Sequence, residues 1–337
     1  MRLIPLCLAL LLPATTFAQT AGETAQIAVT QHILPRYEAL AKAGETLATT
    51  AQSECSPDAP ALTAAYSDAF DAWIAASHLR FGPSEAQDRA FALAFWPDTR
   101  GITPRALAAL IDGADPVARD PSAFAGVSIA ARGFYALEFL LYDPEIRAMG
   151  EAEYRCELVR AVATDIAALS ADILNGWQGG YADKILNTGQ GSPYRSDEEA
   201  VQELFKALTF GLEITSDTRL GRPLGTFDKP RPKRAEAWRA GRSLRNIALS
   251  LASLDDLAGI LAQRDTELQA RLKDAFRIAI ADAEALDDPI LAGVADPLKR
   301  LRVESLQQSI NQVREIVRDD LGPELGVAPG FNAMDGD

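Results

Sequence analysis

The stretch from Arg132 to Asp143 (Arg-Gly-Phe-Tyr-Ala-Leu-Glu-Phe-Leu-Leu-Tyr-Asp) sets one carboxylate, Glu138, inside an otherwise apolar run. At helical spacing Tyr135 and Glu138 are three apart and project from one face. A buried carboxylate is costly unless it is paired or bound to a cation, so Glu138 needs a partner. The partner is either an arginine, with Arg132 and Arg80 as candidates, or a metal ion. Phenolate and carboxylate are hard oxygen donors that suit a ferric ion better than a soft metal. A single carboxylate holds an ion weakly, so His78, Asp98 or a residue from the C-terminal half would have to help. The expected metal set is therefore Tyr135, Glu138, His78 and Asp98.

A second constellation, Lys229, Arg231, Lys233, Arg234, Arg239, Arg242 and Arg245, concentrates positive charge in an acidic chain. On a helix Arg234, Trp238, Arg242 and Arg245 share a face, where guanidinium groups can stack on the indole and present donors to an anion. An anionic chelate or a carboxylate-bearing peptide fits such a face, and so does internal pairing with acids of the N-terminal half. The expected ligand contacts are Arg80, Tyr135, Glu138, Trp238, Arg242 and Asn246, with Arg80, Arg242 and Asn246 orienting the ligand. Trp96-Pro97-Asp98 follows the turn at Arg80 to Pro83 and is expected on the same cleft. Asp98 reads equally as a cap or turn acid, and His78 as a satisfied core histidine.

Other chemistries lack their residues. The chain has two histidines, His32 and His78, far apart in sequence, so a His-rich zinc site and an HExxH pair are excluded. Neither a GxSxG elbow nor a GxxxxGK[ST] loop is present. Cys55 and Cys156 form an even pair for which a structural disulfide is expected in an oxidising compartment, two buried thiols being the alternative. The bridge would close a loop of about 100 residues, worth roughly 4 to 5 kcal/mol in the chain-entropy model.

The elements that must position these residues are helical. Tyr154, Leu158, Val162, Ile166, Leu169 and Ile173 step by three and four, as do Leu306, Ile310, Val313 and Val317. Asp296-Pro297 reads as an N-cap followed by proline at the first helical position, and Ser196 with Glu199 as a capping box before Leu204, Leu208 and Leu212. Further helices are predicted over about 24–53, with Pro35 as a kink, and over 60–79, 103–111, 123–141, 233–253 and 260–286. No β-branched run of period two supports a sheet. The glycines and proline between 176 and 195 predict a break without regular structure, dividing an N-terminal bundle (19–180) from a C-terminal one (181–337). The expected architecture is all-α, two antiparallel helical bundles with a cleft between them.

Three patterns, taken together, resemble the imelysin-like family. Gly133, Tyr135 and Glu138 are similar to its GxHxxE motif, with tyrosine where the histidine is expected. Trp73 with Arg80-Phe81-Gly82 is similar to its W…RFG stretch, and Gly330 to Asp337 to its GFN…DGD ending. The resemblance covers about residues 24 to 337. It implies a two-bundle helical fold, a periplasmic or outer-surface location, a link to iron uptake and a nominal peptidase label. The missing histidine and the lack of a water-activating group set this chain against the peptidase activity. The function expected is handling of iron, or of an iron-containing or small anionic ligand, without chemical turnover. The partners implied are that ligand and a membrane transport component. The alternatives are a structural or interaction protein whose metal site has been lost, or a metallopeptidase.

Charge and the first residues bound the setting. A formal net charge of -14 excludes a polyanion such as nucleic acid as partner. Met1-Arg2, the apolar run Leu3 to Leu12 and Thr16-Phe17-Ala18 read as a signal peptide over 1–18, and Cys7 lies inside it. The run is roughly ten residues, about half of a membrane span, and the expected location is the periplasm.

Overall fold

The computed structural model describes residues 20–327. The expected signal peptide with Cys7, and the closing segment from Gly330, lie outside the described residues. Among the described residues there is no strand, only an isolated bridge between Thr226 and Lys229.

The first described helix opens on a capping box: Thr20 accepts from Glu23 N, and the Glu23 carboxylate accepts from Thr20 N at 2.7 Å. Helix α1 (Ala21–Ile27) passes through a π-helical turn (Ala28–Ile33) into α2 (Leu34–Ser53), and Pro35 sits in the first turn of α2. After α3 (Pro60–Ala76) come the short α4 (Arg89–Leu93), then α5 (Ile102–Gly113) and α6 (Pro121–Phe124). Helix α7 (Gly133–Tyr142) carries Tyr135 and Glu138, and α8 (Pro144–Ala148) follows it. The single helix predicted over 123–141 is thus broken, with a 3-10 turn at Ile129–Ala131 before α7.

The longest helix, α9 (Ala152–Gly176), continues through a π-helical turn (Trp177–Tyr181) into α10 (Ala182–Leu186). The break expected from 176 is partly present: Gly179 (φ -80, ψ 15) and Gly180 (φ +124) leave the helical region and kink the chain before helix resumes in α10, while Gly176 itself packs on Pro83, where a Cβ would lie 2.8 Å from that ring. The irregular segment begins at Asn187. Helix α11 (Asp197–Glu213) is capped by Ser196, and a π-helical turn (Ile214–Leu220) leads to α12 (Gly221–Leu224). The helix predicted from 233 begins ten residues later, as α13 (Ser243–Leu261). Positive φ at Ala237 and Gly241 keeps the preceding stretch in turns. Helix α14 (Thr266–Ala285) and α15 (Pro297–Ile316) follow, the latter with Asp296 as the expected cap, and α16 (Gly322–Glu324) ends the described chain.

Helix α2 packs against α3 and α9, and α7 also lies on α9. Helices α13, α14 and α15 pack in sequence, and α13 also rests on α3 and α11, so one continuous apolar core runs through all of them. Cys55, just beyond α2, is disulfide-bonded to Cys156 in α9, with Cα atoms 5.1 Å apart. Among the described residues no helix is long and apolar enough to cross a membrane.

Candidate functional site

Helix α7 begins at Gly133 with φ +73, a left-handed conformation that favours glycine. A Cβ there would sit 2.2 Å from the Leu93 carbonyl oxygen, so only glycine lets α7 approach the end of α4 this closely. Behind α7 an aromatic block forms: Phe70 stacks on Phe134 at 4.9 Å and meets Tyr135 edge-on, while Trp96 stacks on Tyr135.

Glu138 is buried, 3% exposed. Its partner is neither of the expected arginines. Arg132 makes a bidentate pair with Asp165 at 2.9 and 2.6 Å, and Arg80 pairs with Glu85 at 2.6 Å. Glu138 Oε1 accepts from the backbone N–H groups of Arg239 at 2.9 Å and Ala240 at 3.3 Å. Its other oxygen carries no hydrogen bond to the described residues. Burial pushes the carboxyl up to about 7, against the opposing pull of the Arg239 charge and the two amides.

Tyr135 donates its hydroxyl to Glu236 Oε1 at 2.6 Å. Glu236 Oε2 accepts from Arg219 Nε at 2.7 Å and from Asn246 Nδ2 at 3.0 Å. Arg219 also reaches Ser250, at 3.1 Å, and the hydroxyls of Thr215 and Ser77. Burial and the Glu236 charge hold the Tyr135 phenol well above its usual range, so it is a neutral donor and not a phenolate. Glu236 and Arg219 were not legible as site residues. Glu236 sits between two alanines in a turn, and Arg219 is turned inward by the wider π-helical turn that carries it, a register shift without a signature in apolar spacing.

Tyr135 and Glu138 form part of the wall of a cavity of about 210 Å³, together with Asp98, Trp96, Trp238 and four cations. The acids come from the N-terminal half. The cations, Arg222, Lys233, Arg234 and Arg239, come from the C-terminal half. Arg239 is committed: it pairs with Asp143 at 2.6 Å and lies over Phe139 at 3.9 Å and Trp238 at 4.6 Å. Among the described residues Arg222, Lys233 and Arg234 have no carboxylate within 4.0 Å. Burial, and then the neighbouring Arg234 charge, lower the Arg222 pKa, and its Nε is buried without a hydrogen-bond partner. The guanidinium of Arg222 lies over Trp96 and the Lys233 ammonium over Trp238. Asp98 accepts from Thr103 N at 2.8 Å and Arg100 N at 3.2 Å, so it caps the start of α5 while lining the cavity.

The remaining expected residues lie elsewhere. Arg234, Trp238 and Arg242 share no helix face, because turns replace the helix before Ser243. Arg242 points to Asp71, and Asn246 to Glu236, so both stand behind the cavity and not on its wall. Arg80 and His78 line a different cavity, of about 380 Å³, with Phe81 and Glu85. His78 Nε2 lies 2.8 Å from His32 Nε2, and His32 Nδ1 lies 2.8 Å from Asp256 Oδ2. The two histidines, distant in sequence, are therefore neighbours. Burial lowers both pKa values, that of His32 to about 4. Among the described residues no group of three or more His, Cys, Asp or Glu side chains is placed to hold a metal ion.

The comparisons with known proteins agree with this fold. The family model described as Imelysin, which carries a peptidase label, matches residues 33–317. A search of curated proteins finds no match. An imelysin-like protein from Psychrobacter arcticum 273-4 superposes with a TM-score of 0.75 at 22% identity, over 94% of this chain and 98% of that one. A protein described as an iron-regulated protein A precursor, from Parabacteroides distasonis ATCC 8503, gives 0.73 at 13% identity over 90% and 96%. At these identities the likeness is one of fold.

Proposed function

Because this chain belongs to the imelysin family, we propose that it is a periplasmic binding protein that takes a small anionic, iron-containing ligand into the cavity at Tyr135 and Glu138 without chemical turnover. In this reading a leader over 1–18 precedes two helical halves, 19–180 and 181–337, and the cavity is the cleft between them. The observation that carries it is the gathering of Arg222, Lys233 and Arg234 on one cavity without carboxylate partners among the described residues, in a chain of net charge -14. Like charges gathered on one cavity repel, and a bound anion relieves that repulsion. The iron in the ligand is supported by the fold's likeness to a protein described as iron-regulated. Bare iron fits less well, since Tyr135 is a neutral donor to Glu236 and the lining otherwise offers two carboxylates, Glu138 and Asp98, both already accepting from backbone amides. A membrane transport component is the natural recipient of the ligand.

The alternative of an interaction protein with a vanished site calls for Glu138 neutralised by an arginine side chain and no cavity, whereas Glu138 here meets backbone amides beside an open one. Titration of the mature protein with small ferric chelates, followed by the fluorescence of Trp96 and Trp238, tests the proposal. Saturable quenching that is lost in Lys233→Ala/Arg234→Ala supports it, and no saturable response to any small anion refutes it.

A further inference from the structure

The end of the molecule built from the loop after α12 and the start of α15 departs from the rest of the surface in two ways. Phe227, Leu298 and Leu301, at 67%, 78% and 58%, are the most exposed large apolar side chains among the described residues. They belong to one region. Arg300, between the two leucines in α15, donates to the carbonyl oxygens of Leu224 at 2.7 Å and Thr226 at 3.4 Å, and its guanidinium lies 5.8 Å from the centre of the Phe227 ring. Leu298 and Leu301, three apart on that helix, project from one face into solvent.

The same end carries positive charge. The 3-10 turn Pro232–Arg234 packs on the turn Ala292–Ala295, which in turn packs on α15. Lys229, Arg231, Lys233, Arg234, Lys299 and Arg302 are therefore gathered there, all exposed and none with a carboxylate within 4.0 Å among the described residues. The acids nearby are mostly committed. Asp288 and Asp296 accept from backbone amides and Glu304 pairs with Arg300 at 2.7 Å, which leaves Asp228 and Asp287 as the exposed acids without such a role. In a chain of net charge -14 this positive excess is local, and a Debye length of about 8 Å at physiological ionic strength screens the acids of more distant surfaces.

We infer that this end docks on the surface of an anionic lipid bilayer, with Phe227, Leu298 and Leu301 entering the headgroup region and the surrounding cations meeting lipid phosphates. Side chains this exposed protrude from the surface instead of lining a groove, so no shaped pocket on a partner is needed to cover them, and the interfacial layer of a bilayer accepts them one by one. Each ammonium or guanidinium beside an anionic leaflet strengthens attachment about fivefold, and the guanidinium donors match phosphate oxygens. The loop that supplies Arg222, Lys233 and Arg234 to the cavity at Glu138 is part of this end, so docking brings that lining to the membrane. Docking of this kind is independent of which ligand the cavity takes.

The experiment is flotation of the mature chain from residue 19, which lacks the apolar run Leu3 to Leu12, with vesicles of phosphatidylcholine alone or mixed with phosphatidylglycerol, at rising salt. Saturable association with the mixed vesicles is expected, weakening with salt and at least about tenfold weaker on phosphatidylcholine alone. Leu298→Ser/Leu301→Ser should weaken it at least about tenfold at unchanged salt dependence. Lys229→Ala/Arg231→Ala should weaken it about tenfold or more and flatten the salt dependence. All four positions are exposed, and circular dichroism checks that both variants keep their helices. No association of the folded wild-type protein with the mixed vesicles, or equal association with both lipids, overturns the inference without needing any variant. Association that survives both variants places the contact elsewhere and overturns it as well. Dimerisation that Leu298→Ser/Leu301→Ser abolishes, without vesicle association, assigns the surface to a second copy of this chain and overturns it too.

Discussion

Replacing Glu138 by glutamine tests whether this carboxyl is held out of its ordinary range by the fold. Glutamine keeps the shape and can still accept from the Arg239 and Ala240 amides, but it does not ionise. Burial raises the Glu138 pKa from 4.5 to about 7. Between those values the folded chain binds a proton that the unfolded chain has released. The stability this group contributes is therefore fully present below about pH 4.5 and is lost as pH rises through about 7. A shift of roughly 2.5 units at about 1.4 kcal/mol per unit makes the total loss about 3 kcal/mol, without a discount for solvent because the side chain is buried. The assay is urea unfolding of both proteins at about pH 5 and about pH 8.5, where every titration common to the two cancels in the difference. Glu138→Gln should gain on the wild type by roughly 2 to 3 kcal/mol between the two pH values. A difference that stays constant across them would refute the claim that the carboxyl is destabilised by burial.

Other outcomes follow from groups away from α7. Arg219→Met alone should cost about 3 to 5 kcal/mol in urea unfolding, because it strands Glu236 in the interior. The double variant Arg219→Met/Glu236→Gln should recover much of that loss. Removing the disulfide in Cys55→Ala/Cys156→Ala, a separation of 101 residues, should lower stability by about 4 to 5 kcal/mol, measured by urea unfolding with the slope fitted for each protein, since the freed unfolded chain exposes more surface. His32, lowered from 6.5 to about 4 by burial, binds its proton more readily in the unfolded chain. Wild-type stability should thus fall as pH drops from about 6.5 through about 4, by up to about 3 kcal/mol. His32→Gln should flatten that part of the profile, and an unchanged acid limb would show that the histidine is not the cause.

Periodicity made much of the scaffold legible. The stripe from Tyr154 to Ile173 is the buried face of α9, and Asp296-Pro297 opens α15 as expected, because both features are written in residues a few positions apart. What escaped was decided at longer range or by single backbone positions. Gly176 reads as a breaker but serves close packing on Pro83, and the arginines after 233 read as one helix face until Ala237 and Gly241 take positive φ. Tyr135 and Glu138 stood out as polar groups in an apolar run. Their partners came from about 100 residues away, as Glu236 and the Arg239 amide, and that pairing leaves no local mark. The contact between His32 and His78 was hidden for the same reason.

The division of the cavity's charge between the two halves of the chain has an evolutionary corollary. The halves share one apolar core, but Asp98, Arg222, Lys233 and Arg234 stand on the cavity lining outside the buried set, so each can be exchanged without repacking that core. Loss of the carboxylates at 98 and 138 would make the cavity more positive, and loss of the cations between 222 and 234 would make it more negative. The lining of this cavity can thus be recomposed through a handful of codons while the helices stay as they are.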